Sequence, residues 1–88
     1  MYPYITLADD TLITHSRLLN EGENKTVEVH FERPKVGGFD SATYTIPSYE
    51  QTERIGYTDD EICEFEELLR NHAHLFFEYA ESGGIGIS

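Results

Sequence analysis

Cysteine occurs once among the 88 residues, tryptophan not at all, and lysine and arginine together only six times. A single cysteine excludes an intramolecular disulfide framework and a cysteine-based zinc cluster. Six cations stand against 17 acids, for a net charge of −11 and a pI near 4.5. That balance argues against direct binding to a phosphate backbone, which takes Lys and Arg to displace counterions. No apolar run reaches the ~18–20 residues that span a bilayer, and the first residues lack the basic start and apolar stretch of a signal peptide. These exclusions predict a cytoplasmic protein that touches neither membrane nor nucleic acid directly.

The hydrophobic fraction of 39% and aromatic fraction of 12% are too high for a disordered acidic tail. A chain of this length folds as one domain and buries roughly 60–65% of its extended surface. Within that domain, residues 1–57 read as strands and loops, 58–82 as a helix and 83–88 as a tail.

The strand region is marked by alternation and by turn residues. Tyr4-Ile5-Thr6-Leu7-Ala8 is a β-type run closed by Asp9-Asp10, and Thr11–Leu19 follows with an untidy alternation. Asn20-Glu21-Gly22-Glu23-Asn24 has hairpin-loop composition. In Lys25–Glu32, Val27, Val29 and Phe31 face one way while Thr26, Glu28, His30 and Glu32 face the other. Arg33-Pro34-Lys35-Val36-Gly37-Gly38 is expected to break that strand and form a turn flanked by solubilising charges. Ala42, Tyr44 and Ile46 then share a face of a further strand ended by Pro47, and 48–57 reads as a connection without a period.

The helix carries the strongest pattern. Thr58 and Glu61 are spaced for a capping box, and Asp59 and Asp60 oppose the dipole's positive end. Ile62, Phe65, Leu69, Ala73, Phe76 and Ala80 form an apolar stripe, widened by Leu68, His72 and Tyr79. Gly83-Gly84 is a stop signal. The predicted fold is α+β: a small antiparallel sheet of three to four strands packed by one long C-terminal amphipathic helix, in the order β-β-β-β-α.

Charge is unevenly shared. Residues 1–57 hold nine acids and five bases, whereas 58–88 hold eight acids and only Arg70. On a helical wheel Asp60, Glu64, Glu67, Glu78 and Glu81 lie opposite the Phe65/Leu69/Phe76 stripe, with Asn71 and His74 among them. One reading is a solvated face that keeps a small protein soluble. The other is a docking surface for a basic partner, whose attraction weakens with salt.

Little else points to chemistry. His72 and His74 are i,i+2 on a helix and diverge, so they cannot share a metal; Glu67, Asn71, His74 and Glu78 share a face but lack a second element. Cys63 sits in the first turns among acids, without an identifiable histidine partner. Val36-Gly37-Gly38-Phe39 lacks the Gly-Lys-Ser/Thr ending of a phosphate loop. Tyr49 and Tyr57 flank the aperiodic segment as core-edge or protein-contact aromatics. No cofactor, catalytic residue or metal ligand is assigned.

Val29-His30-Phe31-Glu32-Arg33-Pro34, Gly38-Phe39-Asp40-Ser41-Ala42 and Gly56-Tyr57-Thr58-Asp59-Asp60-Glu61 resemble a group of small uncharacterised proteins encoded on mobile elements of gut Firmicutes. The resemblance runs nearly end to end and includes Leu68-Leu69-Arg70-Asn71-His72-Ala73-His74-Leu75. Gln51 stands where that group often carries an aromatic. More loosely, the element order is similar to a domain-of-unknown-function family neighbouring toxin–antitoxin genes, in which the strand often has two histidines rather than His30 alone. The resemblance implies an accessory role on a mobile element and gives no residue a function.

The expected function is a non-enzymatic interaction module, monomeric or homodimeric, that presents Asp60, Glu64, Glu67, Asn71, His74 and Glu78 to a basic or nucleic-acid-binding protein. A narrower alternative is a DNA-mimic inhibitor of such a protein. A third, from another class, is a small metal-dependent enzyme using His30, His74 and nearby carboxylates.

Overall fold

The computed structural model describes residues 2–21 and 24–82. Six strands precede one helix: β1 (Tyr2–Thr6), β2 (Leu12–His15), β3 (Leu19–Glu21), β4 (Asn24–Lys35), β5 (Gly38–Ile46), β6 (Glu50–Ile55) and α1 (Asp59–Ser82). β1, β2, β4, β5 and β6 lie side by side in that order, every neighbouring pair antiparallel. β3 pairs with the start of β4, outside that path. The α+β class and the C-terminal helix agree with the sequence reading; the strand count exceeds the three to four predicted.

Three local features account for the difference. Ser16 donates its N–H to the Glu28 carbonyl (2.9 Å), and the Glu28 N–H donates to Ser16 Oγ (2.9 Å). One extra residue then separates β2 from β3 relative to β4, a bulge that explains the untidy alternation in 11–19. β4 also continues through Pro34 instead of breaking there. Lys35 and Gly38 close a two-residue turn at Val36-Gly37, with positive φ at Gly37, and such a closing pair is hydrogen-bonded. The nitrogen of Pro34 therefore points away from β5, on a side where β2 has already ended at Leu12 opposite Glu32. Finally, 50–55 is a strand rather than a connection. All six residues of β6 are exposed, so no hydrophobic alternation announces it.

The core forms where the inward faces of β2, β4 and β5 meet the helix stripe. Val27, Val29 and Phe31 of β4, Ala42, Tyr44 and Ile46 of β5, and Ile13 of β2 are fully buried. Ile62, Phe65, Leu69, Phe76 and Ala80 close over them from α1, with Leu68, Ala73 and Phe77 partly buried at the margin. Phe31 stacks on Phe65 with ring centroids 4.3 Å apart, and Tyr4 meets Phe76 at 4.4 Å. Apolar side chains of this size contribute about 1.5–3 kcal/mol each when buried, so this seam is what holds the two layers together. No helix among the described residues is long and apolar enough to cross a membrane. The predicted stop at Gly83-Gly84 and the tip of the 20–24 loop lie outside the described residues.

Candidate acidic docking surface

The start of α1 is built as the sequence indicated. The Thr58 N–H donates to Glu61 Oε1 (3.1 Å) and the Glu61 N–H donates to Thr58 Oγ1 (3.3 Å), a reciprocal capping box. Glu61 also accepts from Arg33 Nη1 at 2.6 Å. That contact, with the Thr58 N–H behind it, holds the Glu61 carboxyl below its ordinary pKa.

Arg33 is the hub of this end of the molecule. It faces the helix from β4, directly across from Asp40 on β5. Its Nε and Nη2 donate to Asp40 Oδ2 at 3.0 and 2.6 Å, while Nη1 also reaches Asp9 at 3.0 Å. The guanidinium lies 4.9 Å over the Tyr57 ring. Asp40 is buried, and its other oxygen meets the Lys35 ammonium at 2.7 Å. Lys35 and then Arg33 hold the Asp40 carboxyl below the usual carboxylate range. Burial pulls Asp9 upward, but the Thr11 N–H and Arg33 outweigh it, and its pKa is lowered. Glu61 and Asp40 in turn raise that of Arg33. Gly56 has φ +84°, and a Cβ built there would overlap Asp40 Oδ1, so only glycine lets β6 turn toward the helix past this carboxylate.

Four of the six cations, Arg33, Lys35, Arg54 and Arg70, lie in ion pairs. Arg54 donates to the Tyr57 carbonyl (3.0 Å from Nη2) and to Asp59 (2.7 Å). Arg70 lies 4.0 Å from Glu66 and 5.9 Å from the Tyr49 ring centroid, on the flank of the helix.

The outer face of α1 is what remains. Asp60, Glu64, Glu67, Asn71, His74 and Glu78 are all exposed, within an arc of about 80° at 100° per residue. None of the ion pairs among the described residues reaches Asp60, Glu64 or Glu67. At its N-terminal end the face runs into a shallow cleft of about 270 Å³, lined by Leu7, Ala8, Asp9, Glu61, Glu64 and Phe65. Its lining combines three apolar side chains with three carboxylates.

The histidines separate. His72 Nδ1 and the Tyr4 hydroxyl are hydrogen-bonded (2.7 Å), and the two rings meet edge-on, which ties α1 to β1. His74 is exposed on the opposite flank. His30 lies on the sheet face away from the helix, between inward-facing Val29 and Phe31. Its Nδ1 is 2.7 Å from Thr43 Oγ1 and its Nε2 is 3.3 Å from Glu32 Oε2. Because a carboxylate only accepts, it is Nε2–H that donates to Glu32, while Nδ1 pairs with the Thr43 hydroxyl. His30 and His74 therefore belong to opposite sides of the protein and do not share a site. Among the described residues no group of three or more His, Cys, Asp or Glu is placed to hold a metal ion.

The face was readable from the wheel, whereas the Arg33 hub was not. Its signal was the two-residue hairpin at Val36-Gly37, which sets Arg33 opposite Asp40; a six-residue turn over 33–38 hides that pairing. No protein-family model, no curated protein and no solved structure matches the chain.

Proposed function

We propose that this protein is a non-enzymatic interaction module whose outer helix face docks a basic protein partner, in the accessory setting of a mobile element that the sequence resemblance implies. One observation carries the reading: Asp60, Glu64 and Glu67 lie exposed on one helical face with no ion pair among the described residues, while Arg33, Lys35, Arg54 and Arg70 pair with acids elsewhere. Unneutralised carboxylates on a rigid element attract an oppositely charged surface at long range and give little to the fold itself. The cleft beside Glu64 adds apolar surface where an aliphatic stem can lie beneath a cationic head.

The test is capture from a host-like lysate on the immobilised protein at low and then moderate salt, beside the variant Glu64→Lys/Glu67→Lys. The expected outcome is a partner retained by the wild type at low salt, lost as the Debye length shortens to about 8–10 Å, and absent from the variant at every salt. A nucleic-acid-binding partner that DNA displaces identifies the narrower, DNA-mimicking form of the same reading. If the variant retains the same proteins as the wild type, the face serves solubility and the proposal fails.

A further inference from the structure

Among the described residues no element packs on the sheet face turned away from α1, and that face is apolar at one end. Register places Leu12 of β2 beside Glu32 of β4, and Ile55 of β6 beside Ser41 of β5, all on this face. One step toward the hairpin, Pro34 of β4 lies beside Phe39 of β5. Phe39 and Ile55 are diagonal neighbours, as are Pro34 and Leu12. Phe39 is 56% exposed, Ile55 54% and Leu12 38%, and Val36 at the hairpin tip is fully exposed. Strand propensity favours Phe39 and Ile55 where they stand, but it says nothing for Val36, which occupies a turn whose one positive φ belongs to Gly37. About half of Phe39 and Ile55 and all of Val36 stay in water after folding, and that apolar surface is available to a ligand.

Charge selects the occupant. The outward strand positions on this face carry Glu28, Glu32, Glu50 and Glu53, with His30 and no Lys or Arg among the described residues. Lys35 and Arg33 face the other way, toward Asp40. Two copies set face to face would oppose these carboxylates across the seam, and a nucleic acid or an anionic membrane would meet acids alone. We infer that the open sheet face is a second docking surface, separate from the helix face, for a protein segment that sets Lys or Arg beside aliphatic side chains. The aliphatic groups would rest on Leu12, Pro34, Phe39 and Ile55 while the cations reach Glu32 and Glu53.

Three synthetic twelve-residue peptides test it against the ¹⁵N-labelled protein: alternating Lys-Val, all Lys, and alternating Glu-Val. The expected result is that Lys-Val moves the backbone amides of Leu12, Phe39, Ser41 and Ile55. All-Lys moves only amides of the outer helix face. In Phe39→Ser/Ile55→Ser, whose substituted side chains lie outside the core, the dissociation constant read at the Leu12 and Ser41 amides rises about tenfold or more. The helix amides keep their response to all-Lys in that variant, so this surface and the helix face are judged separately. The inference is overturned if Lys-Val leaves the sheet amides unmoved, or if Glu-Val moves them as far. It is equally overturned if dilution of the protein alone moves them, which would mark the face as a contact between copies.

Discussion

Arg33 joins three carboxylates that lie far apart along the chain: Asp9 in the β1–β2 connection, Asp40 on β5 and Glu61 on α1. The consequence is a stability that depends on pH with a definite sign. All three carboxyls titrate lower in the fold than in the unfolded chain. Their contribution is therefore complete above the unfolded carboxyl range, about pH 4 to 4.5, and is lost as pH falls through the folded values. The urea midpoint should drop steadily on acidification below about pH 4.5. In Arg33→Met the midpoint should be lower at neutral pH, and its decline between about pH 5 and 3 shallower, because much of what acid removes is already gone. A parallel decline in both proteins would show that the hub is not what acid breaks.

At the level of elements, α1 depends on its cap and on its stripe. Thr58→Ala removes the acceptor for the Glu61 N–H and should cost about 0.5–2 kcal/mol, read from urea unfolding followed by circular dichroism. The helix was legible in the sequence because both of its signals are local: Thr58 and Glu61 three apart, and apolar residues three and four apart. The inward faces of β4 and β5 were legible for the same reason. β6 was not, because Glu50–Ile55 buries no side chain and is fixed by backbone pairing to β5, with Gln51 Nε2 donating to the Tyr44 hydroxyl at 2.9 Å. The Arg33 hub was hidden because it exists only once register is known, and a slip of one residue would turn Arg33 to the opposite face. Both outer strands also carry irregularities, a register shift and Pro3 in β1, and a register shift among charged residues in β6. Edges of that kind resist adding a further strand.

On the scale of the whole molecule, charge is sorted by layer. Arg33 and Lys35 meet Asp40 between the layers, Arg54 and Arg70 pair along the helix, and Asp60, Glu64 and Glu67 on α1 and Glu28, Glu32, Glu50 and Glu53 on the sheet point outward. The longest dimension, 39 Å, is about that of a 24-residue helix, roughly 36 Å at 1.5 Å per residue, so the acidic face runs most of the protein's length. Cys63 is exposed in the early turns of that helix, with Asp59, Asp60, Glu66 and Glu67 three and four residues away. Its thiol is therefore a built-in gauge of the local potential that needs no partner. A cationic disulfide such as cystamine should react with it faster than an anionic one such as oxidised glutathione, each measured relative to a small free thiol. The ratio should shrink toward unity as added salt shortens the Debye length from about 30 Å to 3 Å. Equal relative rates at low ionic strength would mean that the carboxylates of α1 project no appreciable field into solvent. Charge selectivity would make Cys63 slow to cross-link with a second copy, whose own acidic helix repels it, and open to a cationic reagent.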